Sequence, residues 1–335
     1  MPMTDSSPAS AIIEPTLTDV LRARKVIRPY LTPTPTLRPS ALSHELGCEI
    51  VLKCENLNPT GAFKVRGGIN LISSFDAEQR ALGVATASTG NHAQSIAYAA
   101  NLFGVRAVIY MPAGANPDKV AATELLGATV VQAGADFDEC RGLAAEHAQR
   151  EGMRFIHSAN EPLLIAGVGT YALELIEDEP DLDVVIVPVG GGSGACGVAT
   201  VIKTVRPQTR VIAVQAANMP AVHQAFHTQQ MVALEGGSTF AEGLATRVTF
   251  DMPFGIMQRL VDDVQLVSED EMREGMVTLL HRARIVAEGA GAAAMALAQR
   301  LAPELQGQRV GVIVSGGNVT LDTLRDTINH VGAAA

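Results

Sequence analysis

Residues 183–205 read DVVIVPVGGGSGACGVATVIKTV. A short run rich in Val and Ile ends in a glycine cluster, and a helical pattern follows. In that helix Val198, Val201, Ile202 and Val205 recur at i, i+3, i+4 and i+7, which marks one apolar face. Strand, glycine turn and amphipathic helix make the crossover unit of a buried parallel sheet. Gly190, Gly191, Gly192, Ser193 and Gly194 would present consecutive backbone N–H groups, nearly all without a Cβ to hold an anion away. The helix start adds its positive dipole end. The stretch therefore predicts a phosphate cradle, without saying which phosphate.

Two other kinds of phosphate loop compete with this reading. Gly192, Gly194 and Gly197 satisfy G-x-G-x-x-G, but a dinucleotide site also needs an acidic residue near the end of the next strand. That strand, RVIAVQAAN (210–218), carries Gln215 and no acid. A nucleoside-triphosphate loop is excluded because no Gly-Lys-Ser/Thr follows. A glycine turn with a purely structural role stays open.

Working outward, EIVLKCE (49–55), VRAVIYMP (105–112), TVVQAG (129–134), MRFIHS (153–158), RVIAVQA (210–216) and RVGVIVS (309–315) read as further strands. NHAQSIAYAANLFG (91–104) and PDKVAATELLGA (117–128) read as helices between them. Ser268 and Glu271 form a capping box that opens a helix over EDEMREGMVTLLHRAR (269–284). One sheet of average size does not need so many units. Two α/β domains with a ligand cleft between them are expected; composition does not fix their boundary.

The 335 residues suffice for one large domain or two ordinary ones, and 47% hydrophobic with 18% charged residues is a globular α/β profile. A net charge of −10 argues against a nucleic-acid partner, which would need a basic surface. The N-terminus has neither a basic start nor a long apolar core, so neither signal peptide nor anchor is expected. Its first dozen residues read as disordered. No segment approaches the ~18 apolar residues of a membrane span. Cys48, Cys54, Cys140 and Cys196 show no CxxC spacing and read as reduced thiols of a cytosolic protein. His223 and His227 stand four apart, but the glutamate of H-E-x-x-H and a third ligand are missing, so they read as surface histidines. No G-x-S-x-G elbow is present.

Lys64 sits in ENLNPTGAFKVRGG (55–68), a turn where neither helix nor strand period asks for a lysine. It is either a solvated loop residue or an amine held for chemistry. ASTGNHAQ (87–94) opens a helix whose donors suit a carboxylate, and VSGGN (314–318) closes a late strand. An amine, a phosphate site and a carboxylate site together suggest pyridoxal phosphate and an amino-acid substrate.

NPTGAFKVRGG, STGNHAQ, VPVGGGSG and VSGGN resemble, in order and spacing, the motifs of the serine/threonine dehydratase family, fold-type II pyridoxal-phosphate enzymes that also include serine racemase. The resemblance spans roughly residues 15–330. It implies a tryptophan synthase β-like architecture of two α/β domains with parallel-rich sheets and a cleft between them. Residues 1–77 and 153–335 would form a large cofactor domain, and residues 78–152 a small domain closing on substrate. It further implies that Lys64 is the Schiff-base lysine and the base for the Cα proton. Phe63 would pack beside the cofactor ring, Asn91 would bond the ring 3′-oxygen, and Gly190, Gly191, Gly192, Ser193 and Gly194 would hold the phosphate. Ser315 would face the pyridine nitrogen. Ser88, Thr89, Gly90, Asn91 and His92 would frame the substrate carboxylate.

A hydroxyl at Ser315 cannot hold the ring nitrogen protonated as an aspartate would, which favours β-elimination over transamination. In the family the leaving hydroxyl takes its proton from the cofactor phosphate. The implied reaction converts L-threonine or L-serine to 2-oxobutanoate or pyruvate plus ammonia. The alternatives are another β-hydroxy amino acid, such as 3-hydroxyaspartate or an aryl-serine, racemisation, or a binding protein without turnover. Thr89 stands where family racemases carry a proton-returning serine, and its extra methyl and stiff χ1 disfavour that role.

Some members bind a divalent cation through acids whose places are taken in this chain by Gln215 and Ala221, so loss of that metal site is expected. Glu242, in TFAEGLATR (239–247), stands where the family often has aspartate. A homodimer is implied by the family alone. The chain leaves no room for an isoleucine-binding regulatory domain, so that inhibition is not expected.

Overall fold

The computed structural model describes residues 13–334. The expected disorder of the first dozen residues lies outside them. Ten strands occur among the described residues: β1 (Thr36–Leu37), β2 (Glu49–Cys54), β3 (Val84–Ala87), β4 (Ala107–Met111), β5 (Thr129–Gln132), β6 (Arg154–Phe155), β7 (Val184–Pro188), β8 (Arg210–Ala216), β9 (Asp263–Val267) and β10 (Arg309–Val314). They form a six-stranded sheet of order β1-β2-β10-β7-β8-β9 and a four-stranded sheet of order β5-β4-β3-β6. Every pairing is parallel except β1 with β2.

The continuous apolar runs have a direct cause. In β7, Val184 and Ile186 point into one core while Val185 and Val187 point into another. Strand β8 divides in the same way, with Ile212 and Val214 opposite Val211 and Ala213. A sheet covered by helices on both faces needs apolar side chains at every position. The smaller sheet repeats this: Ile109 and Met111 of β4 face one cluster, Val108 and Tyr110 another.

Several local expectations need correction. Strand β9, DVQLV, falls outside the expected set; as an edge strand it alternates polar and apolar residues and carries no continuous apolar run. MRFIHS contributes only two paired residues, at the edge of the smaller sheet. The helix opened by the Ser268–Glu271 capping box ends at Thr278, and Leu279–Ala283 widen into a π-helical turn before Arg284 at φ 63°. Val205 is 49% exposed, so the apolar face of its helix rests on Val198, Val201 and Ile202. His223 and His227 share a helix face, but His223 is half-buried, and both rings bond the Val264 carbonyl.

What positions the site is the direction of the strands. The loops with the four motifs follow the C-terminal ends of β2, β3, β7 and β10, the edge at which parallel α/β sheets bind ligands. No helix among the described residues is long and apolar enough to cross a membrane.

Candidate active site

The turn after β2 is stitched to the end of β10. Phe63 N donates to Ser315 O at 3.1 Å and Gly317 N to Gly61 O at 2.8 Å. Lys64 opens the helix Lys64–Ser73, which packs on the helices Asn91–Leu102 and Pro162–Asp178. That packing accounts for Gly67 and Gly68. A Cβ on Gly68 would lie 2.5 Å from Ser95 Oγ, and one on Gly67 would lie 2.9 Å from the Leu164 carbonyl. Behind the turn is a buried ion network. Arg66 makes paired bonds to Glu55 (2.7 and 2.9 Å) and to Glu174 (2.6 and 2.8 Å). Lys53 Nζ reaches Glu174 at 2.7 Å.

A cavity of 720 Å³ opens between the two sheets, and Lys64 lines it. The chain has five lysines. Lys53, Lys119 and Lys203 are paired with carboxylates, and Lys25 is exposed on the helix Leu17–Ile27. The Lys64 amine instead donates to Ser193 Oγ at 3.2 Å and Ser158 O at 3.4 Å, beside the Phe63 ring. Desolvation in the cleft brings its pKa down to about 8. The neutral, nucleophilic fraction at pH 7 rises from about 0.03% for an ordinary lysine to about 10%. The reactive-amine reading of Lys64 is the one this geometry favours.

Gly190 to Gly194 line the same cavity. Gly192 has φ +103°, and no side chain caps the helix Ser193–Val205, so its first N–H groups are left for a ligand. A Cβ on Gly190 would sit 2.1 Å from Gly243 O, and one on Gly191 2.8 Å from Ala159 Cβ. Phe63 crosses Tyr171 edge-on at 6.1 Å and lies 3.3 Å from where a Gly194 Cβ would be. We expect Gly190→Ala to weaken pyridoxal-phosphate binding by about 10- to 100-fold, the cost of overpacking by ~1–3 kcal/mol. Equilibrium titration checks this.

Ser88, Thr89, Gly90, Asn91 and His92 also line the cavity. Ser88 Oγ accepts from Gly90 N at 3.2 Å, and no side chain caps the helix Asn91–Leu102. The His92 ring turns its Nε2 inward to Thr86 Oγ1 at 3.1 Å, which leaves its backbone N–H at the helix start to frame a carboxylate. Burial first, then Lys64 and His157, keep that ring neutral; burial, Arg141 and Lys64 bring His157 down to about 4. Ser315 is 7% exposed just after β10, and its hydroxyl donates to the Ala290 carbonyl at 3.5 Å, its one side-chain bond among the described residues.

The sequence motifs missed some lining residues, Ser158 and Glu288 among them, whereas Phe240 and Arg247 belong to the stretch TFAEGLATR. Glu288 accepts a bond from Asn91 Nδ2 at 2.6 Å. Its one local signal is an acidic residue just before a helix of small residues. At the mouth, Lys119 pairs with Glu242 at 2.5 Å, and Arg247 with Asp138 at 2.8 Å and Asp136 at 3.1 Å. At the expected metal position, Gln215 Oε1 accepts from Val222 N and His223 N, at 3.0 and 3.1 Å.

A family model described as pyridoxal-phosphate dependent enzyme matches residues 27–316. The chain belongs to this family of pyridoxal-phosphate-dependent enzymes. It is 40% identical over 314 residues to the L-threonine ammonia-lyase of Thermotoga maritima, covering 94% of this chain and 78% of that one. It is 37% identical to the catabolic L-threonine dehydratase TdcB of Escherichia coli, covering 94% and 96%. A processed threonine deaminase isoform from Solanum lycopersicum superposes with a TM-score of 0.90 at 31% identity, over 94% and 92% of the two chains. Maize serine racemase does so with 0.89 at 30%, over 96% and 99%.

The cleft of this pyridoxal-phosphate enzyme fits its cofactor. A glycine cradle at an uncapped helix start suits a phosphate, an unpaired amine of lowered pKa suits an aldehyde, and Ser315 offers a hydroxyl rather than a carboxylate.

Proposed function

We propose that this protein dehydrates and deaminates short β-hydroxy amino acids, L-threonine to 2-oxobutanoate and L-serine to pyruvate, with release of ammonia. The observation that carries the reading is the arrangement around Lys64. An amine with a pKa lowered to about 8 stands between the glycine cradle and the helix start at Asn91, with Ser315 on the same cleft.

When bound, the cofactor supplies an aldehyde for amine exchange and a conjugated ring that delocalises negative charge from Cα. Gly190, Gly191, Gly192, Ser193 and Gly194 would hold its phosphate, Phe63 would pack beside its ring, Asn91 would bond its 3′-oxygen and Ser315 would meet its ring nitrogen. The turn of Ser88, Thr89, Gly90, Asn91 and His92 would frame the substrate carboxylate through the backbone N–H groups of Thr89, Asn91 and His92, since Ser88 N already donates to Tyr110 O and Gly90 N to Ser88 Oγ. Lys64, freed as the base, would take the Cα proton. As the Cβ–O bond breaks, the hydroxyl would leave as water with a proton from the phosphate held in the glycine cradle, as the resemblance implies, and the Lys64 amine would then displace the enamine. The free enamine tautomerises to an imine, which adds water and expels ammonia. Neutral His92 and His157 place no second positive charge beside the Lys64 amine.

Residues 1–77 and 153–335 are proposed as the large domain and residues 78–152 as a small domain that closes on substrate and excludes water. The Lys119–Glu242 and Arg247–Asp138 pairs join these two parts across the mouth. Because both cations already have carboxylate partners, a dicarboxylic substrate would find neither free, which favours threonine and serine over 3-hydroxyaspartate. Racemisation is the second reading, since Thr89, which carries a hydroxyl, lines the cleft. A cytosolic setting is supported by four buried, unpaired cysteines. Homodimeric assembly rests on the family resemblance.

The test is 2-oxo acid release by cofactor-loaded protein from L-threonine, L-serine, their D-forms, L-threo-3-hydroxyaspartate and a phenylserine in parallel. Fastest release from L-threonine or L-serine is expected. Turnover of only the acidic or aryl substrate would overturn the substrate assignment, and D-serine formation without 2-oxo acid would make the protein a racemase.

A further inference from the structure

Asn91 is held from both sides. Its Nδ2 donates to Glu288 Oε1 at 2.6 Å, and its Oδ1 accepts from Asn318 Nδ2 at 2.7 Å. Asn318 Nδ2 also donates to the backbone carbonyl of Thr60 at 2.8 Å. The directions in this chain follow from chemistry. A backbone carbonyl can only accept, so Asn318 must turn its NH₂ toward Thr60. The remaining hydrogen of that NH₂ then needs an acceptor, which compels Asn91 to present its oxygen. The Asn91 NH₂ is thereby turned the other way, where an ionised Glu288 takes one of its two hydrogens. The second has no protein acceptor among the described residues.

Two glycines make room for the chain. A Cβ on Gly61, at φ +66°, would lie 2.3 Å from Asn318 Oδ1, and one on Gly316 would lie 2.3 Å from Glu288 Oε1. Thr60 and Gly61 belong to the turn that carries Lys64. Asn91 opens a helix packed on the smaller sheet, whereas Glu288 and Asn318 flank the larger one.

We infer that Glu288 and Asn318 are positioning residues that fix the Asn91 amide so that an N–H, never the carbonyl, faces the 3′-oxygen of the cofactor. This rests on the pyridoxal-phosphate reading of the cleft. An amide free to rotate would present its oxygen to that anionic atom part of the time, and the repulsion would weaken binding and alter the chromophore. Burial raises the Glu288 carboxyl to about 7, opposed by the Asn91 bond and Lys119 and reinforced by Glu242. On protonation it ceases to be a pure acceptor, so the hold on Asn91 loosens as pH falls below that value.

The test compares E288A, E288Q and N318D for cofactor affinity and for the visible absorbance of bound pyridoxal phosphate. Apo-protein melting serves as the control for folding. E288A is expected to bind about tenfold more weakly than wild type, the loss of one orienting hydrogen bond. E288Q, which keeps an acceptor oxygen, should stay within about threefold, because Gln retains the shape and a carbonyl acceptor. It should also show a shallower fall in affinity between pH 8 and 6 than wild type, since only the Lys64 titration then remains. N318D sets a carboxylate against two carbonyl oxygens and should be weaker still, with a displaced absorbance maximum.

Wild-type affinity and spectrum in E288A and N318D would overturn the inference. So would equal losses in E288A and E288Q that track a lower apo-protein melting temperature, since that is a packing role. If wild-type protein bound no cofactor at all, the pyridoxal-phosphate reading itself would fail, a result distinct from either.

Discussion

Lys64→Ala is expected to lower 2-oxo acid formation from L-threonine by about 10³-fold or more, because the variant loses both the covalent anchor and the general base. Neither role can pass to a neighbour. Lys53 is fully buried and paired with Glu174, and Lys119 is paired with Glu242 at the mouth. The glycine cradle is untouched, so phosphate-dependent binding of the cofactor should survive in weakened form. That separates loss of chemistry from loss of fold. Steady-state kinetics with excess cofactor, together with a binding titration, would read both. Activity within tenfold of wild type would remove Lys64 from the mechanism.

Arg66→Met should unfold the apo-protein more readily, by about 3–5 kcal/mol in urea titrations, because it strands buried carboxylates. Arg66 is 1% exposed and Glu55 is not exposed at all. Both carboxylates that face the guanidinium take two of its N–H groups, a geometry that one ammonium cannot reproduce, so Arg66→Lys should restore little. The network also sets the acid limit of the fold. Burial would lift the Glu174 carboxyl, but bonds from Arg66 and Lys53 outweigh it and leave the pKa below 4.5. A carboxyl held low when folded stabilises above its ordinary value, and that contribution is lost as pH falls through the depressed folded value. Wild type should therefore lose stability below about pH 4.5 more steeply than Arg66→Met does. A loss under about 1 kcal/mol in Arg66→Met would mean that the network is not the support of the Lys64 turn.

The parts legible in the sequence are those whose physics is local. Strands β2, β7, β8 and β10 announce themselves because burial on both faces demands unbroken apolar runs. The glycine cradle is legible because only Gly tolerates backbone approach as close as that of Gly243 O to Gly190. Strand β9 lies at the sheet edge, where Asp263 and Gln265 are tolerated, and so carries no such run. The inward turn of the His92 ring depends on Thr86, on the strand before the motif. The partners that orient and close the site come from far along the chain. Glu288 is 197 residues from Asn91, Glu242 is 123 from Lys119, and Glu174 is 108 from Arg66. No spacing rule reaches across such separations; only the fold brings these residues together.

The most direct measurement is borohydride reduction of cofactor-loaded protein, followed by peptide mapping of the pyridoxyl label. With five lysines in the chain the outcome is unambiguous. Label on Lys64 alone is the expected result. Label on Lys53, Lys119, Lys203 or Lys25 instead, or none despite bound cofactor, would contradict the central role of the turn at residues 55–68.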